Sequence, residues 1–181
     1  DDLFIRHVQR VHAILKKHGK RTWIWDDMLE NAGDEKLAEL PRDIVMVAWH
    51  YCADYLDHDG FTGQFNNLHR RRDLRRYEKL GFDVLVAPWA RGIENSLALT
   101  NVAREYRMRG GLQTIWGLQE MFLPSVLPAV ALTGALWSQP DREPSLVLDE
   151  VLPRLFPSLE PVVLQAVRGA LIEPLWYHFS A

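Results

Sequence analysis

The feature that most constrains this chain is a short apolar run that ends in tryptophan and recurs four times. Each run has the length and apolar content typical of a strand buried on both faces of a sheet. The runs occupy residues 22–25, 44–49, 84–89 and 112–116. Helical patterns separate them, and this alternation is typical of parallel strands joined by crossover helices. The sequence therefore predicts an α/β fold.

Amphipathic helical patterns precede three of the four runs. Residues 3–18, 70–80 and 96–109 repeat apolar side chains at helical spacing, and glycine follows each pattern. The predicted apolar face of the first helix comprises Phe4, Val8, Val11 and Leu15. Gly19 is predicted as a left-handed helix stop, Gly81 closes the second helix, and the pair Gly110–Gly111 follows the end of the third.

The number of strand–helix units restricts the choice of α/β fold. Four units occupy residues 22–137, which is about half of the ~250 residues typical of an eight-stranded (β/α)8 barrel. Half of a doubly wound sheet is the alternative, but no Gly-x-Gly-x-x-Gly loop for a dinucleotide follows any strand. Residues 139–144 break the rhythm, and helical patterns follow at 145–152 and 159–178. We predict a partial barrel over residues 1–140 and a C-terminal helical extension over 141–181.

Composition excludes several partners. The net charge is −3, which gives no reason to expect binding to nucleic acid or to an anionic membrane, and the apolar stretches are too short to span a bilayer. Cys52 is the only cysteine, so the chain has no internal disulfide framework, which fits a reducing compartment. The chain begins without a starting methionine or a signal peptide, which we interpret as truncation. Localisation stays open, with the cytoplasm slightly favoured.

All four predicted strands end in tryptophan, namely Trp25, Trp49, Trp89 and Trp116. The carboxyl ends of parallel strands form the functional face of α/β folds. Indole offers a large rigid face and one N–H donor, which suits a pyranose ring. Core packing is the alternative for any single tryptophan, but four at equivalent positions favour a carbohydrate site. Trp23 is expected to point away from Trp25 and to pack in the core.

Polar residues follow the same strand ends, and we take Asp26, Tyr51, Asn95 and Glu120 as candidate substrate-binding residues. Carboxylates there can hold sugar hydroxyls through charge-assisted hydrogen bonds, or they can cap the next helix. Residues 57–59, Asp-His-Asp, are interpreted as a solvated turn before Gly60 rather than as a metal site. No metal or other cofactor is predicted.

Residues 19–28, Gly-Lys-Arg-Thr-Trp-Ile-Trp-Asp-Asp-Met, resemble a signature of glycoside hydrolase family 20, the β-N-acetylhexosaminidases. Further segments follow in the family's order at residues 40–51, 77–84, 111–117 and 131–138. The Trp-Asp-Asp-Met form and the Trp-x-Tyr at 49–51 resemble the hexosaminidase D-like branch. The resemblance covers about residues 3–138, and it implies the C-terminal half of the barrel, about strands 5–8.

The resemblance implies a glycosidase that removes terminal N-acetylhexosamine from glycoconjugates by substrate-assisted retaining hydrolysis, an exception to the usual two-carboxylate scheme. The substrate's acetamide oxygen attacks the anomeric carbon, a Glu protonates the leaving oxygen, and the preceding Asp steadies the acetamide. That Asp-Glu pair is expected upstream of this chain, so we predict no catalytic residue here and no activity of the chain alone. Residues 33–35, Gly-Asp-Glu, mimic the motif but follow the wrong strand.

Carried over residue by residue, Trp25, Trp49 and Trp116 would wall the acetamide pocket, and Asp26 would support the site behind Trp25. The sequence departs from the family at two places. Gly117 stands where the family has a sugar-binding Glu after the last tryptophan, and Glu120 is a weak replacement. The strand that should carry a tyrosine ends in Ala-Pro-Trp, so Asn95 or the indole N–H of Trp89 would have to serve.

Two other functions are compatible with the sequence. A sugar-binding barrel without hydrolase activity would explain the missing tyrosine and glutamate. A metal-dependent hydrolase would use His50, Asp57 and His58, and it ranks last because these residues crowd into one loop instead of coming from several strand ends.

Overall fold

A computed structural model describes residues 2–29, 32–49, 75–90, 93–116 and 123–172. These residues form one four-stranded parallel sheet and seven α-helices, which confirms the predicted α/β class. The strands are β1 (Trp23–Trp25), β2 (Val45–Trp49), β3 (Asp83–Ala87) and β4 (Gly110–Gly111). The helices are α1 (Asp2–Lys17), α2 (Asp34–Leu37), α3 (Arg75–Lys79), α4 (Ile93–Glu105), α5 (Leu123–Ser138), α6 (Pro144–Leu155) and α7 (Pro161–Ile172). Among the described residues, no helix combines the length and the apolar character that a membrane span requires.

The strands lie in the order β1-β2-β3-β4, and every neighbouring pair is parallel. Trp25 pairs with Val47 in the register of β1 and β2, and Trp49 pairs with Ala87 in that of β2 and β3. The carboxyl ends of the strands therefore lie at one edge of the sheet. We call this the carboxyl edge, and it comprises residues 25–26, 49, 88–90 and 114–116.

Helices cover one face of the sheet. Alternate strand residues join the main hydrophobic core with α1, α2, α3 and α4, and they are Met46, Ala48, Val84 and Val86. Ile24 packs against the same core, whereas Trp23 is 53% exposed. Residues two apart in a strand share a face, so Trp23 and Trp25 both lie opposite the helices. The prediction that Trp23 points away from Trp25 is wrong, and Trp23 lies outside the hydrophobic core that the described residues form.

Two of the predicted helix stops are confirmed. After α1, Gly19 has φ +64°, and Lys20 N–H donates to Leu15 C=O at 2.9 Å. After α3, Gly81 has φ +83°, and Phe82 N–H donates to Tyr77 C=O at 3.0 Å. Each bond spans six residues around a left-handed glycine, which is the Schellman arrangement.

The third helix ends earlier than predicted, with Arg107 rather than the glycine pair at its left-handed end. Arg107 has φ 51°, and Met108 N–H donates to Ala103 C=O at 2.8 Å. Gly110 and Gly111 form β4, two residues before the strand predicted at 112–116. A Cβ atom on Gly111 would lie 2.1 Å from Cζ2 of Trp137, so only glycine lets α5 approach the sheet this closely.

The C-terminal helices share a second hydrophobic core with α4. Buried residues of this core come from α4, α5 and α6, namely Ile93, Ala129, Leu132, Leu136, Val147, Leu148 and Leu152. Leu164, Val167 and Leu171 of α7 pack against it. Residues 131–138 form the C-terminal half of α5, which begins at Leu123. The predicted helix of 145–152 is longer at both ends.

Charged residues at the amino-terminal ends of the strands connect neighbouring parts of the sheet to each other and to α1. Arg21 and Arg109 both pair with Asp83 at the start of β3. Asp43 accepts a hydrogen bond from Lys16 Nζ at 2.8 Å and lies 3.1 Å from Nε2 of the buried His12. The hydrogen bond from Lys16 is the largest of the effects that lower the pKa of Asp43 below its ordinary value.

His12, with Ile5 and Val8, forms the buried side of α1, and the predicted core residue Val11 is 36% exposed.

Candidate functional site

Two of the predicted tryptophans meet at the carboxyl edge. The ring centroids of Trp25 and Trp116 lie 6.4 Å apart, with 54° between the ring planes. Trp25 ends β1 and Trp116 follows β4, and on a flat sheet these outer strands lie about 14 Å apart, three spacings of about 4.8 Å. The contact therefore joins the two sides of the sheet above the ends of the middle strands. Both indoles keep exposed surface, 39% for Trp25 and 51% for Trp116.

The other two predicted tryptophans lie between them at the same edge. Trp49 is the last residue of β2. Trp89 follows β3 and forms a parallel bridge with Thr114, beyond β4. Both side chains are half-buried. The carboxyl edge thus carries all four tryptophans, with Trp25 and Trp49 at the ends of β1 and β2 and with Trp89 and Trp116 beyond the ends of β3 and β4.

Asp26 lies behind the tryptophans. It is fully buried, and Tyr77 Oη donates a hydrogen bond to its Oδ2 at 3.4 Å. Its backbone N–H donates to Val47 C=O at 3.1 Å, which ties the end of β1 to β2. Tyr77 belongs to the main core on the helical face, so the Asp26 carboxylate points away from the Trp25 ring. This position suits support of Trp25 and excludes direct contact with a ligand that lies on the indole.

Asn95 lies in the first turn of α4, and its side chain is 4% exposed. Its Oδ1 accepts a hydrogen bond from Trp89 N–H at 2.7 Å. The sequence suggests Asn95 as a possible donor to a sugar acetamide. In the structure, the amide oxygen holds the loop after β3.

A set of polar contacts that the sequence analysis missed closes the same loop. The Pro88 carbonyl accepts hydrogen bonds from the N–H and Oγ1 of Thr114 and from Nε2 of Gln113. Ser96 Oγ donates to Gln113 Oε1 at 3.3 Å. In the strand predicted at 112–116, Thr114 and Trp116 are two residues apart and so share a face. This spacing was the only sequence signal that associated Thr114 with the tryptophans.

Several sequence predictions fall outside the described residues, namely Tyr51, Glu120 and the alternative metal ligands His50, Asp57 and His58. Asp34, in the Gly-Asp-Glu segment, begins the short α2, is exposed, and pairs with Arg76. Over the described part of the chain, no group of three or more His, Cys, Asp or Glu side chains could hold a metal ion.

The carboxyl edge offers flat apolar indole surfaces. The buried residues Asp26 and Asn95 hold the backbone next to Trp25 and at Trp89. Two partly exposed indoles tilted against each other can bind the apolar face of a ring and a small group such as a methyl, and each adds one N–H donor. No model of a known protein family matches this chain, and no curated protein matches it either.

Proposed function

We propose that this chain is part of a (β/α)8-barrel glycosidase that removes terminal N-acetylhexosamine from glycoconjugates by substrate-assisted retaining hydrolysis. The observation that carries the proposal is the contact between Trp25 and Trp116 across the carboxyl edge, with Trp49 and Trp89 between them. If the four tryptophans only packed independently in the core, we would not expect all of them at one edge of a parallel sheet. The resemblance of residues 19–28 to glycoside hydrolase family 20 supplies the substrate class.

The strand order supports a barrel over a doubly wound sheet. The order β1-β2-β3-β4 runs in one direction without a reversal. The common doubly wound order, 3-2-1-4-5-6, contains a reversal, and any four consecutive strands of it include that point. The main core places α1, α3 and α4 on one face of the sheet, as in a barrel whose helices form the outer ring. The face with Trp23 and Trp25 would then be the barrel interior.

In this proposal, the chain binds and orients the sugar, and the acid chemistry comes from elsewhere. The indoles of Trp25, Trp49 and Trp116 enclose the acetamide group and hold its oxygen close to the anomeric carbon. The attack is intramolecular in the substrate itself, and this orientation removes part of its remaining entropic cost. The Asp-Glu pair that protonates the leaving oxygen and steadies the acetamide is provided by upstream sequence, so the chain alone is inactive.

A sugar-binding protein without turnover is the second candidate. Gly117 in place of the family's glutamate and the absence of the strand tyrosine favour it. The burial of Asn95 adds to this, because a residue that is only 4% exposed offers little surface to a sugar acetamide. Binding without hydrolysis in the full-length protein would distinguish this candidate from the glycosidase.

The test uses the full-length protein encoded by the reading frame that contains this chain. Calorimetry measures binding of N-acetylglucosamine, and a chromogenic N-acetylglucosaminide measures turnover. Trp25→Ala and Trp116→Ala are each expected to weaken binding about 30-fold, as truncation of a central aromatic contact costs about 2 kcal/mol. Trp23→Ala is the matched control, because Trp23 lies in the same strand and face but further from the carboxyl edge.

Unchanged binding in both Trp25→Ala and Trp116→Ala would refute the site. Turnover by a protein whose reading frame encodes no Asp-Glu pair at a strand end would refute the mechanism. Activity that a chelator abolishes would favour the metal-dependent alternative.

A further inference from the structure

Asn95 fixes the backbone of Trp89 from inside the protein. A backbone N–H is a donor, so the atom of Asn95 that it meets at 2.7 Å must be the amide oxygen. The side chain is 4% exposed, and water does not readily replace it there. Removal of the acceptor would take this bond away from a partly buried N–H, which is costly enough to move the loop.

The same turn of α4 also reaches the segment that leads to Trp116. Ser96 Oγ donates to Gln113 Oε1, and Gln113 Nε2 donates to the Pro88 carbonyl at 3.2 Å. The first turn of α4 therefore contacts the residues on both sides of the bridge between Trp89 and Thr114. A change in this turn would be transmitted to two of the four tryptophans at the carboxyl edge.

We propose that Asn95 is a positioning residue that sets the place of the Trp89 indole through Oδ1, and that it is not itself a sugar ligand. Its effect on sugar binding rests on the proposed function, whereas its effect on Trp89 does not. The two roles use different atoms of the amide. Positioning needs the acceptor Oδ1, and binding of a sugar carbonyl needs the Nδ2 donors.

Two substitutions separate these atoms. Asn95→Asp keeps an acceptor oxygen and removes both donors, and its charge is favoured by the N-terminal end of α4. Asn95→Leu removes donors and acceptor at similar volume. Thr100→Val is the matched control, because Thr100 is buried one turn later in α4 and bonds Ser96 C=O and Trp137 Nε1.

The variants are made in the full-length protein labelled with 5-fluorotryptophan. The fluorine resonance of Trp89, assigned from a Trp89→Phe variant, reports the position of the indole, and calorimetry reports the affinity for N-acetylglucosamine. Asn95→Leu is expected to shift the Trp89 resonance and to weaken binding about tenfold. Asn95→Asp is expected to leave both within twofold, and Thr100→Val to lower the melting temperature and change neither.

A Trp89 resonance that stays in place in Asn95→Leu would overturn the proposal. So would Asn95→Asp weakening binding as much as Asn95→Leu with the Trp89 resonance unmoved, because that result assigns Asn95 as a direct donor. If the unaltered protein binds no N-acetylglucosamine, the proposed function fails. The fluorine shift then decides the positioning role on its own.

Discussion

Gly111→Ala is a small change that tests how α5 packs on the sheet. The added Cβ would lie 2.1 Å from Cζ2, 2.3 Å from Cη2 and 2.6 Å from Cε2 of Trp137. These are indole ring atoms, so the whole ring must move. The ring is held because Trp137 Nε1 donates to Thr100 Oγ1 at 2.9 Å and the side chain packs against the main core.

The expected cost follows from these contacts. Insertion of a methyl group into a packed site costs about 1–3 kcal/mol, and loss of the hydrogen bond from Trp137 to Thr100 adds about 0.5–1.5 kcal/mol. We therefore expect Gly111→Ala to lower the free energy of unfolding by about 1.5–4.5 kcal/mol, the sum of the two costs. Gly134→Ala is the matched control, because a Cβ at Gly134 in α5 meets nothing within 4 Å. This control is expected to stabilise by up to about 1 kcal/mol, the difference in helix propensity.

Urea unfolding of the two variants in the full-length protein measures both effects. A double-mutant cycle with Trp137→Leu identifies the cause, because Gly111→Ala should cost less than about 1 kcal/mol once the indole is gone. If Gly111→Ala costs under about 0.5 kcal/mol, or its cost is the same with and without Trp137, then the close approach of α5 to β4 is wrong.

Three further predictions address helix ends, pH and association. Arg107→Gly is expected to stabilise by about 1 kcal/mol, the cost of a left-handed conformation for a non-glycine residue, and an unfolding midpoint that falls would contradict this. Asp43 has a lowered pKa, so the stability it provides is present above its unfolded value of about 3.9 and is lost as pH falls through its folded value. Because the pair with Lys16 is exposed, Asp43→Asn should lower the free energy of unfolding by about 1 kcal/mol or less at pH 6. Urea titrations should show this cost disappear well below pH 4, and an equal cost at pH 3 and pH 6 would refute the prediction. Expressed alone, the 181-residue chain should aggregate or dimerise, because half a barrel leaves open strand edges. A monomer that is monodisperse in sedimentation and melts cooperatively in calorimetry would contradict the half-barrel proposal.

Local rules predicted much of the fold from sequence. Glycine is the residue that most readily adopts the left-handed conformation at a helix stop, so Gly19 and Gly81 marked the ends of α1 and α3 correctly. The four tryptophan-tipped runs gave the strands to within two residues, apart from β4. These features depend on short stretches of chain, which a sequence shows directly.

The errors came from residues whose conformation is fixed by distant partners. The glycine pair at 110–111 resembles a helix stop, but Gly111 is required by the indole of Trp137, which lies 26 residues later in the chain. Arg107 carries no sequence signal for a left-handed stop. The misplacement of Trp23 had a different cause, since a correct period-two count places it with Trp25.

In the candidate site, too, local sequence predicted some residues, whereas others depend on partners that are distant in the chain. The tryptophans at the carboxyl edge were predictable because strand ends of a parallel sheet share an edge. The partners that hold them were not, since Tyr77 lies 51 residues from Asp26, and Gln113 lies 25 residues from Pro88. Asn95 was identified as important, but its partner proved to be a backbone N–H, which no sequence pattern specifies.

A crystal structure of the full-length protein bound to N-acetylglucosamine tests the carbohydrate assignment most directly. We predict that the acetamide group of the sugar lies in van der Waals contact with the indoles of Trp25 and Trp116, at the edge where the four strands end. A sugar bound at another place, or Trp25 and Trp116 facing separate surfaces, would contradict it.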